Sequence, residues 1–189
     1  MDRSRKTTIR ITVVGDGATG KTSMLIAYKD KKFDDRYQPT VFDVYSMTIE
    51  INSVAYKVIL SDTAGQEEFD KLRRLAYKDV DCFILTYAVN ERSSFENVFH
   101  KWAPELRRFS PKAKLILAGT KTDLRENKRS HIAAEEGEML ARDINANGFI
   151  ENSSKTMSFI DATFQMAISA ALFDKNFLKV KKTSVCTCL

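Results

Sequence analysis

Hydrophobic positions along the chain fall into alternating textures. Ile9 to Val14 is a dense, β-branched run that stops at Gly15, the pattern of a strand buried on both faces. Lys21 to Lys31 then places apolar residues at helical spacing, and Phe33 to Val41 is polar and irregular. Val44 to Ile51 and Ala55 to Leu60 are strand-like runs parted by Asn52-Ser53, which predicts an antiparallel hairpin. Val80 to Val89 reads as another buried strand, followed by a long amphipathic helix from about Ser94 to Phe109. Beyond it come a strand at Lys114 to Gly119, a helix at Ile132 to Ile144, a short strand at Phe149 to Glu151 and a helix at Phe159 to Leu172.

The element order β-α-β-β-α-β-α-β-α-β-α predicts an α/β fold, with a mostly parallel six-stranded sheet, one antiparallel strand and helices on both faces. Ligands in such sheets bind beyond the carboxyl ends of the strands. Functional loops are therefore expected after Val14, Leu60, Gly119 and Glu151. No internal repeat or low-complexity tract interrupts the pattern.

Composition narrows the class. A chain of 189 residues suits one domain with a real core, and 43% apolar with 29% charged residues reads as soluble and globular. Three cysteines, two of them in the last four residues, make no disulfide framework. Cys82 lies in an apolar run and is expected to be a buried thiol. The charged N-terminus predicts no signal peptide, and no stretch is long enough to span a bilayer. These features place the chain in a reducing, cytosolic compartment. Of only seven glycines, three fall between Gly15 and Gly20, where backbone must approach something closely.

The loop Gly15-Asp16-Gly17-Ala18-Thr19-Gly20-Lys21-Thr22 fits G-x-x-x-x-G-K-[ST] between a strand and a helix. Its glycines let backbone N–H groups wrap phosphate oxygens, Lys21 serves the β- and γ-phosphates, and the Thr22 hydroxyl serves Mg²⁺. The helix N-terminus adds its positive dipole end at Lys21, Thr22 and Ser23. A second loop, Asp62-Thr63-Ala64-Gly65-Gln66-Glu67, offers a carboxylate for Mg²⁺ at Asp62, an unobstructed N–H at Gly65, and at Gln66 an amide that can orient an attacking water. A third, Thr120-Lys121-Thr122-Asp123, offers a carboxylate for the N1–H and 2-amino group of guanine, with Lys121 against the ring. Adenine lacks that amino donor, so it leaves the carboxylate unpaired. A fourth, Ser153-Ser154-Lys155, can give a backbone N–H to guanine O6. Taken singly the last two are weak signals.

The four together, in order and each behind a strand, resemble the Ras superfamily of small GTPases over nearly the whole chain. The likeness is greatest to its Rho family, through Tyr37-Gln38-Pro39-Thr40-Val41-Phe42-Asp43, Asp62 to Arg73, Thr120-Lys121-Thr122-Asp123, and Lys101-Trp102-Ala103-Pro104-Glu105. The resemblance implies a GTP hydrolase that switches between GDP and GTP states with Mg²⁺ held by Thr22, Thr40 and Asp62. It implies catalytic roles for Gln66, Lys21, Thr40 and Gly65. The nucleotide site would comprise Gly17, Ala18, Thr19, Gly20, Lys21, Thr22, Ser23, Phe33, Tyr37, Pro39, Thr40, Asp62, Ala64, Gly65, Lys121, Asp123, Ser153, Ser154 and Lys155. Phe33 would pack edge-on to guanine and Tyr37 would close over the phosphates. Phe33 to Asp43 and Thr63 to Arg74 would be segments ordered by GTP and released on hydrolysis. Exchange factors, GTPase-activating proteins, a GDP-dissociation inhibitor and effectors such as formins or kinases are the implied partners, with control of actin the implied output. A constitutively GTP-loaded scaffold with little turnover is the alternative, against which Gly17 and Gln66 argue.

Three departures from the Rho pattern stand out. Too few residues separate Asp123 from Glu151 to hold that family's extra helix, Ser61 stands where a large aromatic is usual, and Val44 replaces an asparagine. The tail explains the formal charge of +5. Residues 1–174 read as the GTPase domain and 175–189 as a flexible basic tail. Lys175, Lys179, Lys181 and Lys182 lead to Cys186-Thr187-Cys188-Leu189, a C-a-a-X pattern whose leucine favours geranylgeranylation of Cys186. One lipid plus the lysines predicts attachment to an anionic membrane, at the cytoplasmic face of the plasma membrane, rather than binding to nucleic acid.

Overall fold

The computed structural model describes residues 7–34, 40, 42–126, 128 and 130–173. Within these, β1 (Thr8–Gly15) leads through the glycine-rich loop into α1 (Lys21–Asp30). β2 (Phe42–Ile51) and β3 (Val54–Thr63) form the hairpin, whose Asn52-Ser53 turn holds both residues at positive φ, 50° and 60°. That is the backbone a two-residue turn needs to follow the strand twist. A short 3₁₀ turn, Glu67–Phe69, precedes α2 (Asp70–Leu75). Then come β4 (Cys82–Ala88), α3 (Arg92–Asn97), α4 (Ala103–Phe109), β5 (Lys114–Thr120), α5 (Ala134–Asp143), β6 (Gly148–Glu151) and α6 (Ile160–Leu172).

The strands join in the order β2-β3-β1-β4-β5-β6, with β2 antiparallel to β3 and every other pairing parallel. This is the expected α/β architecture. Alternation along the central strands divides the core in two. Phe83, Leu85 and Tyr87 with Leu115 and Leu117 face one side, where Val98, Trp102, Leu106 and Leu140 cover them. Cys82, Ile84, Ile116 and Ala118 face the other, under Met24 and Leu25 of α1 and Ile160, Phe164 and Ala167 of α6. Cys82 is a buried free thiol, as its apolar surroundings demand.

The expected boundaries shift in places. β3 runs past Leu60 to Thr63, so Asp62 belongs to the strand end, paired with Asp43, and not to the loop after it. β4 is shorter than Val80 to Val89, and α5 starts two residues after Ile132. The single helix expected from Ser94 to Phe109 starts at Arg92 and is interrupted by a π-helical turn at Val98–Trp102, closed by a hydrogen bond from Ala103 N to Val98 O. Pro104 explains it. A proline lacks the N–H that would reach the carbonyl of His100 and its ring crowds that carbonyl, and the wider turn relieves both. Among the described residues no helix is long and apolar enough to cross a membrane.

Candidate functional site

The carboxyl ends of β1, β3 and β5 carry the loops that frame a cavity of about 390 Å³, lined among others by Gly17, Lys21, Thr22, Thr40, Gln66 and Lys121. Its floor is the glycine-rich loop. Gly15 turns the chain at φ 139°, and a side chain there would overlap the Thr86 carbonyl and hydroxyl, so only glycine fits. Lys21 is 5% exposed, and its ammonium folds back onto the loop, donating to Gly15 O at 2.9 Å and Asp16 O at 2.6 Å. Burial lowers its pKa to about 8, against the opposing pull of the Asp62 and Asp16 carboxylates.

The wall opposite comes from β3 and the loop after it. Asp62 is fully buried, and neither carboxylate oxygen has a hydrogen-bond partner. Burial raises its pKa, while the neighbouring Thr22 and Thr40 hydroxyls and the Lys21 ammonium pull it back. Those two hydroxyls also bond to each other, at 2.7 Å. One orphaned carboxylate beside two hydroxyls is a hard-oxygen donor set, and it fits Mg²⁺ with the remaining positions left to phosphate and water. Among the described residues no group of three histidine, cysteine or acidic side chains offers a metal an all-protein cage. Gly65 lies directly on the phosphate loop, where a methyl would overlap the backbone of Gly15, Asp16 and Gly17. Gln66 Cγ lies 3.9 Å from where a side chain on Gly17 would begin.

The third and fourth loops of the sequence reading sit beside the cavity, where Lys121 lines it. Lys121, at φ 60°, stretches toward Gly20, with its Cε 3.7 Å from the position a Gly20 Cβ would occupy. Desolvation lowers its pKa, and Asp123 opposes that. Ser153 Oγ donates to Asp123 Oδ1 at 2.5 Å, so the third and fourth loops are joined side chain to side chain. Asn152 ties them again, accepting from Thr122 N at 3.2 Å and donating its own N–H to Gly119 O at 2.8 Å. Ser154 is half-buried, and Lys155 and Phe33 are exposed. Tyr37, Pro39 and the tail with Cys186 and Cys188 lie outside the described residues.

Beneath the loop lies a chain of threonine hydroxyls that the sequence reading passed over. Thr19 Oγ1 is 2.8 Å from Thr86 Oγ1 and 3.0 Å from Asp16 O, and Thr86 Oγ1 is 3.1 Å from Val14 O, so two hydroxyl protons serve three contacts. Thr120 Oγ1 reaches Thr19 O and Tyr87 O, at 2.5 and 2.9 Å. Three strand ends are thereby fastened to one loop. Arg73, 1% exposed, is the other omission, because nothing in the run Lys71-Leu72-Arg73-Arg74 marks it as buried.

Compared with known protein families, residues 10–173 match the model described as the Ras family.

Proposed function

The chain belongs to the Ras family of small GTPases, and on that premise we propose that it is a Rho-type switch that hydrolyses GTP slowly, with Mg²⁺, at a membrane surface. One observation carries the reading. The Lys21 ammonium and the Thr22–Thr40 hydroxyl pair line one cavity together with Gln66, and the buried, unpartnered Asp62 carboxylate lies beside those hydroxyls.

The chemistry follows from what these groups can do. Lys21 and the glycine-rich backbone supply positive charge where the β- and γ-phosphate oxygens bind, and where charge develops as the γ-phosphoryl group leaves. Held by Thr22, Thr40 and Asp62, Mg²⁺ would neutralise phosphate charge. Gln66 lies over Gly17 at the cavity, where its amide would orient a water for attack on the γ-phosphate without serving as a strong base. With no cationic finger assigned, intrinsic turnover is expected on the order of 10⁻⁴ to 10⁻² s⁻¹, accelerated by an activating protein that supplies an arginine. The hydrogen bond from Ser153 to Asp123 supports the reading that this carboxylate selects guanine.

The Rho assignment, an actin-directed output through formins or kinases, and recognition by exchange factors and a GDP-dissociation inhibitor rest on the motifs quoted above. So does membrane attachment through a lipid on Cys186. The short connection from the Thr122–Leu124 turn to α5 supports the reading that the Rho family's extra helix is absent here.

Competition of GTP and ATP against a fluorescent guanine nucleotide tests the core of the proposal. GTP should displace the probe at least 10³-fold better than ATP, and Asp123→Ala should erase most of that margin, because a polar site rejects the wrong edge strongly only while its own donors and acceptors go unpaired. Equal displacement by both nucleotides in the native chain would refute the reading.

A further inference from the structure

The loop bearing Gln66 is gripped from behind as well as from the phosphate side. Arg73 of α2 points back under it, and its Nη1 donates to Ala64 O at 2.9 Å and Gln66 O at 3.2 Å. The rest of the guanidinium is also occupied. Nη2 meets Asp70, Nε donates to Tyr77 Oη at 3.2 Å, and the Tyr77 hydroxyl donates to Glu105 at 2.8 Å. The flat of the cation lies 4.5 Å from the centre of the Trp102 ring, which is fully buried. A planar group held through four hydrogen bonds and one stacked ring has little freedom to move.

Trp102 is itself held from the phosphate loop. Its Nε1 donates to Asp16 Oδ1 at 2.7 Å, and Asn97 Nδ2 donates to Asp16 Oδ2 at 2.7 Å. Both donors flank the π-helical turn at Val98–Trp102, whose widened backbone sets where the indole falls. The Asp16 carbonyl meanwhile accepts from Lys21. The contacts close into a ring: Asp16 to Trp102, Trp102 to Arg73, Arg73 to the carbonyls of Ala64 and Gln66, and Gln66 over Gly17, next to Asp16.

We propose that Arg73 and Trp102 are positioning residues for hydrolysis, which place Gln66 through its backbone, and that Asp16 links their placement to the phosphate loop. This rests on the reading of Gln66 given above. Neither residue lines the cavity, so each acts through another group. Free energy stored in this ring affects the attacking water's geometry more than nucleotide affinity, because the phosphate-binding groups stand on the loop and on α1.

The test is single-turnover hydrolysis by the purified full chain, with GTP affinity measured on the same preparations. Trp102→Phe keeps a ring beneath Arg73 and removes only the donor to Asp16. It should slow hydrolysis about tenfold, since displacements of this order at a reacting centre cost rate steeply, while GTP affinity stays within about twofold. Asp16→Asn weakens the same link from the partly exposed loop, so the double variant should be no slower than Trp102→Phe alone. If Trp102→Phe does not yield folded protein, Asp16→Asn carries the same expectation by itself. An unchanged rate, or rate and affinity falling in proportion, overturns the proposal. Gln66→Leu separates the two levels. If it slows turnover and Trp102→Phe does not, only the positioning role fails. If Gln66→Leu leaves the rate unchanged, the reading of Gln66 fails with it.

Discussion

Thr19 and Thr86 offer a clean measure of what holds the phosphate loop to the sheet. Each can be changed to valine, which has nearly the same shape and no hydroxyl. Thr19→Val removes the 2.8 Å contact to Thr86 and the 3.0 Å bond to Asp16 O, but Asp16 O still accepts from Lys21 and Thr86 still donates to Val14 O. No buried group is orphaned, so the loss is one net hydrogen bond, about 1 kcal/mol. Thr86→Val leaves Thr19 its bond to Asp16 O and costs Val14 O its side-chain donor, again about 1 kcal/mol. The two hydroxyls hold two protons between them for three contacts, so each single variant loses one hydrogen bond and keeps one. The double variant loses both, and its loss should equal the sum of the single losses within about 0.5 kcal/mol. Urea unfolding of the nucleotide-free chain reads this as a change in midpoint at constant slope. Melting should fall by about 2–4 °C per kcal/mol in a chain of this size. Because these bonds anchor the loop beneath the phosphates, nucleotide dissociation should quicken in each single variant and further in the double. A double loss well short of the sum would refute this count, and unchanged dissociation would refute its bearing on the loop.

Two further outcomes follow from charges buried without full compensation. Asp62→Asn removes a carboxylate whose folded pKa burial has raised, so the nucleotide-free chain should melt higher, by an amount on the order of 1–3 kcal/mol, while Mg²⁺-dependent GTP binding falls at least tenfold; a lower melting temperature would contradict the burial argument. Lys21 has a folded pKa near 8 against 10.5 when free. Below pH 8 both folded and unfolded chains carry its proton and the folded state bears the full desolvation cost. Between pH 8 and 10.5 the unfolded chain keeps a proton that the folded chain has released, so this contribution to stability rises with pH. Comparing melts of native and Lys21→Met chains from pH 7 to 10 should show that rise in the native chain alone, on the order of 1–3 kcal/mol.

The α/β class and the mostly parallel six-stranded sheet were readable because β1, β4 and β5 lie largely buried on both faces and therefore consist of mostly apolar runs. Periodicity could not place α2, since Asp70-Lys71-Leu72-Arg73-Arg74-Leu75 spans less than two turns and its inward anchor is an arginine. The π turn was equally silent, as Pro104 marks a disturbance in a helix without saying which widened geometry absorbs it. At the site, the loops were legible because phosphate and Mg²⁺ demand particular residue types at fixed spacing. The supports were not. Thr86, Thr120, Trp102 and Arg73 lie far apart in sequence and perform their roles only through distances that folding creates. The Trp102–Asp16 bond spans 86 positions.

Register also changes the meaning of two departures that look unrelated in the sequence. Val44 and Ser61, each flagged against the Rho pattern, are direct partners across the β2–β3 pair. Facing residues of an antiparallel pair stand about 5 Å apart at Cβ, so a change at one alters the packing of the other. A large aromatic at 61 would lie against position 44, and its loss leaves Val44, 54% exposed, without a neighbour of matching size. The two substitutions therefore alter one surface beside Asp43 and Asp62, not two. If exchange factors that fit Rho proteins fail on this chain, Ser61→Trp alone should restore less of their activity than Ser61→Trp combined with Val44→Asn, measured as catalysed nucleotide release. Equal restoration by the single change would mean that the pair does not act as a unit.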